Sequence, residues 1–439
     1  MPQLIPSLGV TATALLAAGS LLAQTSAPTA AAASAAAPAS TAASAPAPKT
    51  APASTKSATA RFESSFKAGF VPQPISFNKG CVKPDKTITL AAIGDVLLHD
   101  TLQQWAAAQP TGFLAAMGSL QDLLSGADVA VANLEGPAAA GVAPGGRKVQ
   151  EPAKRYDAMV YKGYPMFNYH PSLVTDLRQL GVDVLQTANN HALDRGELGA
   201  NLTLEAIDAA GLSRTGTRHS QKPEQPWFAT RRVHKDGKDY NIAYLACSYS
   251  TNGVVDKARQ VLMCYENKDT LLGQVKQLSA REDVHAVIVL PHWGQEYQPL
   301  PDQPQQQLAR DLAEAGATAI IGTHPHVVQP MEKIRTRDGR ETAVVYSLGN
   351  FVSHQVGLPR LSSLIYLLAL APGKNQKLEP QAVGWIPLRM KTGATFAIEA
   401  IERLPAGAAE AHKSHLLKSF PSEQMHPPQL PYWRQSQCP

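Results

Sequence analysis

The sequence predicts a layered α/β fold with mixed sheets, and two observations carry that prediction. From Ile88 onward one arrangement repeats, a short apolar run, a polar cluster and then a segment of helical period. The polar clusters fall at the same place in each unit, just past the apolar run. In α/β folds that edge is where ligands bind.

Six apolar runs read as strands. Ile88–Ile93 ends in Gly94-Asp95, and Val129–Ala132 leads into Asn133-Leu134-Glu135. Val182–Ala188 leads into Asn189-Asn190-His191, and Ala286–Leu290 into Pro291-His292-Trp293. Ala319–Ile321 precedes Gly322-Thr323-His324-Pro325-His326, and Val344–Leu348 precedes Gly349-Asn350. Between them Leu114–Leu124, Pro171–Leu180, Leu198–Ala210 and Gln305–Ala315 have helical period, with Gly181, Gly211 and Gly316 as stop signals. Arg231–Val254 and Arg335–Leu348 read as hairpins, and Leu361–Leu370 and Ala382–Met390 add late strands. Past Pro405 the pattern weakens, and from Pro421 no element is clear.

The chain has 439 residues and a formal net charge of +5, but its composition shifts along its length. Leu8–Ala23 has the length and apolarity of a signal-peptide core, although Met1–Ser7 carries no Lys or Arg. Ala27–Ala60 contains 17 alanines in 34 positions, with Ser, Thr and Pro filling most of the rest. Such a tract buries too little apolar surface to offset its ordering entropy. The expected organisation is an apolar leader at 1–26, a linker at 27–60, a globular domain at 61–405 and an extension at 406–439. This implies export to the periplasm or cell envelope, with the leader either cleaved or retained as an anchor. Without Lys49, Lys56 and Arg61 the rest holds 37 basic and 35 acidic residues, which excludes a nucleic-acid binder that tracks phosphates by charge. Four cysteines, Cys81, Cys247, Cys264 and Cys438, fit an oxidising compartment and leave three pairings open. Cys247–Cys264 would close a short loop, and Cys81–Cys438 would tie the ends of the globular body.

The strand-end inventory is Asp95, Glu135, Asn190, His191, His292, His324 and His326. Carboxylates and imidazoles are ligands of Zn, Mn and Fe. His-Pro-His in an extended loop would point two imidazoles at separate ligand positions. So many buried polar groups need a shared partner, and a pair of divalent metals would supply one while activating water. Any one of these clusters has an ordinary structural reading, as a helix cap, a turn or a packed histidine. Six at one edge do not.

The runs GDVLLH (Gly94–His99), NLEGP (Asn133–Pro137), ANNHALDRGELG (Ala188–Gly199), HWGQEY (His292–Tyr297), GTHPHVVQP (Gly322–Pro330) and YSLGNFV (Tyr346–Val352) occur in one order from Ile88 to Gln355. In that order the chain resembles the poly-γ-glutamate capsule biosynthesis family of the CapA type, itself similar to calcineurin-like metallophosphatases. The resemblance implies a four-layer α/β/β/α sandwich with two metals at its strand ends. It makes Asp95, Glu135, Asn190, His292, His324 and His326 the metal ligands, with Glu135 at the bridging position. His191 becomes the residue that meets substrate or leaving group; Asp194 recurs with either a site role, orienting His191, or a scaffold role. The chain departs at position 97, where Leu97 stands in place of the histidine of Asp-x-His; His99 is a candidate substitute. Glu296, Ser347 and Asn350 recur with either a site or a scaffold role. Two functions fit: a hydrolase acting on a phosphoester or γ-glutamyl amide, or a non-catalytic component that binds an anionic polymer beside a membrane-bound synthetase complex.

Overall fold

All ten residues of β1 (Ile88–Leu97) are buried, which a strand achieves only when both of its faces are covered. The computed structural model describes residues 66–67, 69–77 and 83–433. The leader, the linker, Cys81 and Cys438 lie outside the described residues. After β1 come α1 (Asp100–Ala107), α2 (Leu114–Met117), α3 (Gln121–Ser125) and β2 (Val129–Leu134). A small ribbon of β3 (Val142–Ala143) and β4 (Arg147–Lys148) precedes α4 (Ser172–Leu180), β5 (Val184–Gln186), α5 (Gly196–Ala209) and β6 (Ser213–Thr215). The second half holds β7 (Phe228–Lys235), β8 (Lys238–Ser248), α6 (Lys268–Ala280), β9 (Ala286–His292), α7 (Gln303–Ala315) and β10 (Ala319–Ile321). Then follow β11 (Val328–Arg335), β12 (Glu341–Leu348), β13 (Asn350–Ser353), β14 (Ser362–Pro372), β15 (Leu378–Lys391), β16 (Ala397–Ala400) and α8 (Glu410–Leu416).

Two mixed sheets result. One runs β16-β15-β14-β1-β2-β5-β6 with β13 beside β1, and the other runs β11-β12-β10-β9-β8-β7. In the first, β1, β2, β5 and β6 are parallel; in the second, β8, β9, β10 and β12 are. Alternation along the strands sorts their side chains into three cores. Ala91 and Ile93 of β1 pack with the helices α1 to α5, as with Leu102, Leu177 and Ile207. Leu90 and Ala92 face the other way and meet Tyr244, Ile288 and Val345 of the second sheet. Val287, Val289 and Val344 of that sheet face outward and pack on Leu271 and Val275 of α6 and on Leu308 and Leu312 of α7. Helices, sheet, sheet and helices therefore stack in four layers, as the resemblance implies.

Several elements depart from the sequence reading. Leu114–Leu124, expected as one amphipathic segment, is broken into α2 and α3 by a tight turn at Gly118–Leu120, where glycine disfavours helix. α6 has only Leu271, Val275 and Leu278 buried, too sparse a pattern to stand out in the sequence. Gly181 and Gly316 do end α4 and α7, at φ 108° and 123°. The tail past Pro421 shows no periodicity, yet it is anchored by aromatics: Trp433 Nε1 donates to Thr89 Oγ1 at 2.9 Å, and Trp385 Nε1 donates to Pro421 O at 2.9 Å. Cys247 and Cys264 are disulfide-bonded, with Cα atoms 5.0 Å apart. Among the described residues no helix is long and apolar enough to cross a membrane.

The sheets meet at a seam. The chain leaves the second sheet at Leu348, passes Gly349 and enters the first sheet as β13, where Asn350 pairs with Asp95. Asp95 N–H donates to Gly349 O at 3.0 Å. A Cβ on Gly94 would lie 1.8 Å from that same oxygen, so only glycine permits the approach. Gly94→Ala is therefore expected to destabilise the fold by about 3 kcal/mol. A denaturant midpoint equal to wild type would remove the seam from the account.

Candidate metal centre

The polar clusters converge at the carboxyl ends of β1, β2, β5, β9 and β10, between the two sheets. Asp95, Glu135, Asn190, His292, His324 and His326 are all buried, Asp95, Glu135 and His292 completely. Ligand atoms of Asp95, Glu135 and His292 lie within 4.8 Å of one another, and so do those of Glu135, His324 and His326. Glu135 is common to both groups. His292 Nε2 stands 3.7 Å from Glu135 Oε1, His326 Nε2 3.8 Å from the same oxygen, and His326 Nδ1 3.1 Å from Asp95 Oδ2. Asn190 Oδ1 lies 2.9 Å from His292 Nε2.

The His-Pro-His unit is not extended, contrary to the sequence expectation. His324 has φ 101° and His326 φ 58°, both left-handed. Such a backbone costs about 1–3 kcal/mol per residue and persists where the surroundings impose it. Here Tyr297 N–H donates to Pro325 O at 2.7 Å, and the Ser347 hydroxyl donates to Val327 O at 2.7 Å. The turn brings the two imidazoles to 5.7 Å between ring centres, and both reach the carboxylates' side of the site.

Electrostatics point to a cation. Burial, then the Asp95 carboxylate, pushes Glu135 well above the usual carboxylate range. Burial, then the neighbouring imidazoles, holds His292 and His324 well below the ordinary histidine value. Glu135 Oε1 and His324 Nδ1 are buried without a hydrogen-bond partner. Orphaned ligand atoms of this kind are costly in a packed interior, and the nitrogen and oxygen donors fit a divalent metal.

Around this set His191 Nδ1 meets Asp194 Oδ2 at 2.7 Å, and Asp194 Oδ2 also accepts the Phe167 N–H at 2.6 Å. The Phe167 ring stands edge-on to His191 at 4.7 Å. His99 joins neither donor group; its Nδ1 lies 3.2 Å from Leu97 O, and burial lowers it to about 4. Leu97 is packed in the helix-side core. Glu296 is exposed on the rim. Asn350 Nδ2 donates to Gln355 Oε1 and to Arg360 O, each at 3.1 Å, while its Oδ1 is buried without a hydrogen-bond partner.

The sequence reading missed three neighbours. Asn133 Nδ2 donates to Asp95 Oδ1 at 2.8 Å and lies 3.3 Å from His292 Nδ1; its place in NLEGP was a usable signal. Tyr249 packs at 4.3 Å on His324, and Asn252 Nδ2 lies 3.5 Å from His191. These two sit on the loop closed by Cys247–Cys264, and no local pattern marks them.

The family described as bacterial capsule synthesis protein PGA_cap matches residues 89–355, the stretch that holds every one of these candidate ligands. The chain belongs to that family. It is 32% identical over 180 residues to the PGA biosynthesis protein CapA of Bacillus subtilis (strain 168), covering 41% of this chain and 44% of that protein. It is 31% identical over 185 residues to the capsule biosynthesis protein CapA of Bacillus anthracis, covering 42% and 43%. These matches span less than half the length of either relative. Among solved structures the chain is similar to Haemophilus influenzae NAD nucleotidase, with TM-score 0.42, 10% identity and coverage of 76% and 63%. It is also similar to GAP50, the anchor in the inner membrane complex of Plasmodium, with TM-score 0.31, 14% identity and coverage of 80% and 99%.

Ligation requires a deprotonated Glu135, so metal must displace the proton that burial favours. Metal affinity should rise with pH, and loading the metal-free chain in weak buffer should release protons. Glu135→Gln and His324→Ala should each lower retained metal at least about tenfold, the loss typical even for residues that only orient a metal ligand. Stoichiometric metal in both variants, measured by elemental analysis, would remove the assignment.

Proposed function

We propose that this family member is an exported, metal-dependent hydrolase that acts on a γ-glutamyl amide or a phosphoester of an anionic envelope polymer. The supporting observation is the sharing of Glu135 by two buried donor groups beside an oriented histidine. Asp95, Asn190 and His292 would hold one divalent ion and His324 and His326 a second, with Glu135 bridging; Mn, Zn and Fe suit these donors. When bound, the metals supply Lewis acidity toward a substrate oxygen and lower the pKa of water.

The chain's own contribution is proton handling. Asp194 accepts from His191 Nδ1, so that nitrogen carries the proton and Nε2 is left to face the substrate. The edge-on Phe167 ring limits rotation of the imidazole. His191 Nε2, once protonated, would deliver its proton to the leaving amine or alkoxide. Export accords with the leader and with the Cys247–Cys264 disulfide.

One observation favours a second reading, a metal-containing component that binds or exports polymer beside a synthetase complex. Leu97 is buried in the helix-side core and His99 joins neither donor group, so the first ion lacks an Asp-x-His ligand. Metal analysis combined with assays on phosphodiesters and γ-linked glutamate oligomers separates the two. For the hydrolase, His191→Ala should lower kcat about 10²–10⁴-fold with metal retained. Full metal occupancy with no turnover on either panel would establish the binding reading in its place.

A further inference from the structure

The rim of the metal centre carries a cation that the proposed chemistry does not use. The Arg360 guanidinium carbon lies 4.8 Å over the Tyr297 ring. Among the described residues Arg360 has no carboxylate within ion-pair distance, and it is only half-buried. Two separate ties fix it beside the site. Tyr297 is 6.1 Å from the His326 ring, and its N–H donates to Pro325 O between the two histidines. Arg360 O accepts from Asn350 Nδ2, and Asn350 pairs with Asp95 in β1.

Tyr297 is itself a committed element. It has φ 66°, a left-handed backbone that a tyrosine rarely adopts, and yet it remains 44% exposed. The strained turn thus presents an aromatic face at the mouth of the site and seats a guanidinium on it. Stacking and a hydrogen bond to the Tyr297 side chain pre-order the guanidinium, and its remaining N–H groups can meet a planar oxyanion. Glu296, exposed next to Tyr297, and Arg360 both hydrogen-bond to the Tyr297 side chain and act on its hydroxyl with opposite sign.

We propose that Arg360, seated on Tyr297, is a specificity-determining residue that binds an oxyanion of the substrate beside the metal centre. The group is a carboxylate or a phosphate, and its bidentate pairing with the guanidinium sets which polymers are accepted. This rests on the reading that the centre receives an anionic polymer.

The test is calorimetric binding to the metal-loaded full chain, with wild type, Arg360→Gln and Arg360→Lys. The probes are a γ-linked glutamate oligomer, the same oligomer with its carboxylates amidated, and a phosphodiester oligomer. Arg360→Gln should weaken the oligomer that wild type binds by about ten- to a hundredfold, and Arg360→Lys should restore part of it. Metal content and melting temperature should match wild type, and the amidated oligomer should bind both proteins alike. Dependence on Arg360 for the glutamate or for the phosphodiester identifies the oxyanion as carboxylate or phosphate. Equal affinity in wild type and Arg360→Gln overturns the assignment and leaves the polymer reading intact. Failure of wild type to bind either anionic oligomer overturns the polymer reading and the subsite with it.

Discussion

Asp95 and Glu135 are two carboxylates enclosed in one water-excluded space, and their mutual repulsion organises the rest of the site. A buried carboxylate is tolerated when it is paired, hydrogen-bonded or protonated. Asn133 supplies one amide to the pair, and Glu135 Oε1 is left without any hydrogen-bond donor. Three imidazoles surround the carboxylates, and the same burial holds two of them, His292 and His324, neutral. Neutral imidazoles and an orphaned carboxylate oxygen form a poor core and a good cation site. That balance explains why so much polarity is gathered at the junction of two apolar sheets.

Backbone geometry enforces the arrangement. Gly94 lets β1 approach Gly349, so the chain crosses between sheets next to Asp95. His324, His326 and Tyr297 all have left-handed backbones close to the centre. Strain of this kind is sustained by surrounding structure, here the two sheets and the hydrogen bonds to Pro325 and Val327. The disulfide at the base of the Tyr249–Asn252 loop adds a covalent brace.

Much of this was legible in the chain. Asp95, Glu135, Asn190, His191, His292, His324 and His326 each follow an apolar run, and strand polarity carries them to a common edge. The layered α/β class was legible in the succession of apolar strands and helical segments, and the four-layer order through family resemblance alone. The broken helix at Gly118 and the sparse α6 were not, because propensity is weak and tertiary packing decides such segments. His99 shows the opposite limit: its spacing made it a candidate ligand, but its ring turns to Leu97 O and Phe167.

By itself the sequence determined the donor types, their order and the strand ends that carry them, because a two-residue side-chain period and turn chemistry are local. Only the tertiary structure decided that His324 and His326 fold inward on a strained turn, and that Tyr249, Asn252 and Arg360 border the centre. Those facts depend on contacts between residues far apart in the chain, set by how two sheets close on one another, and no local pattern encodes them.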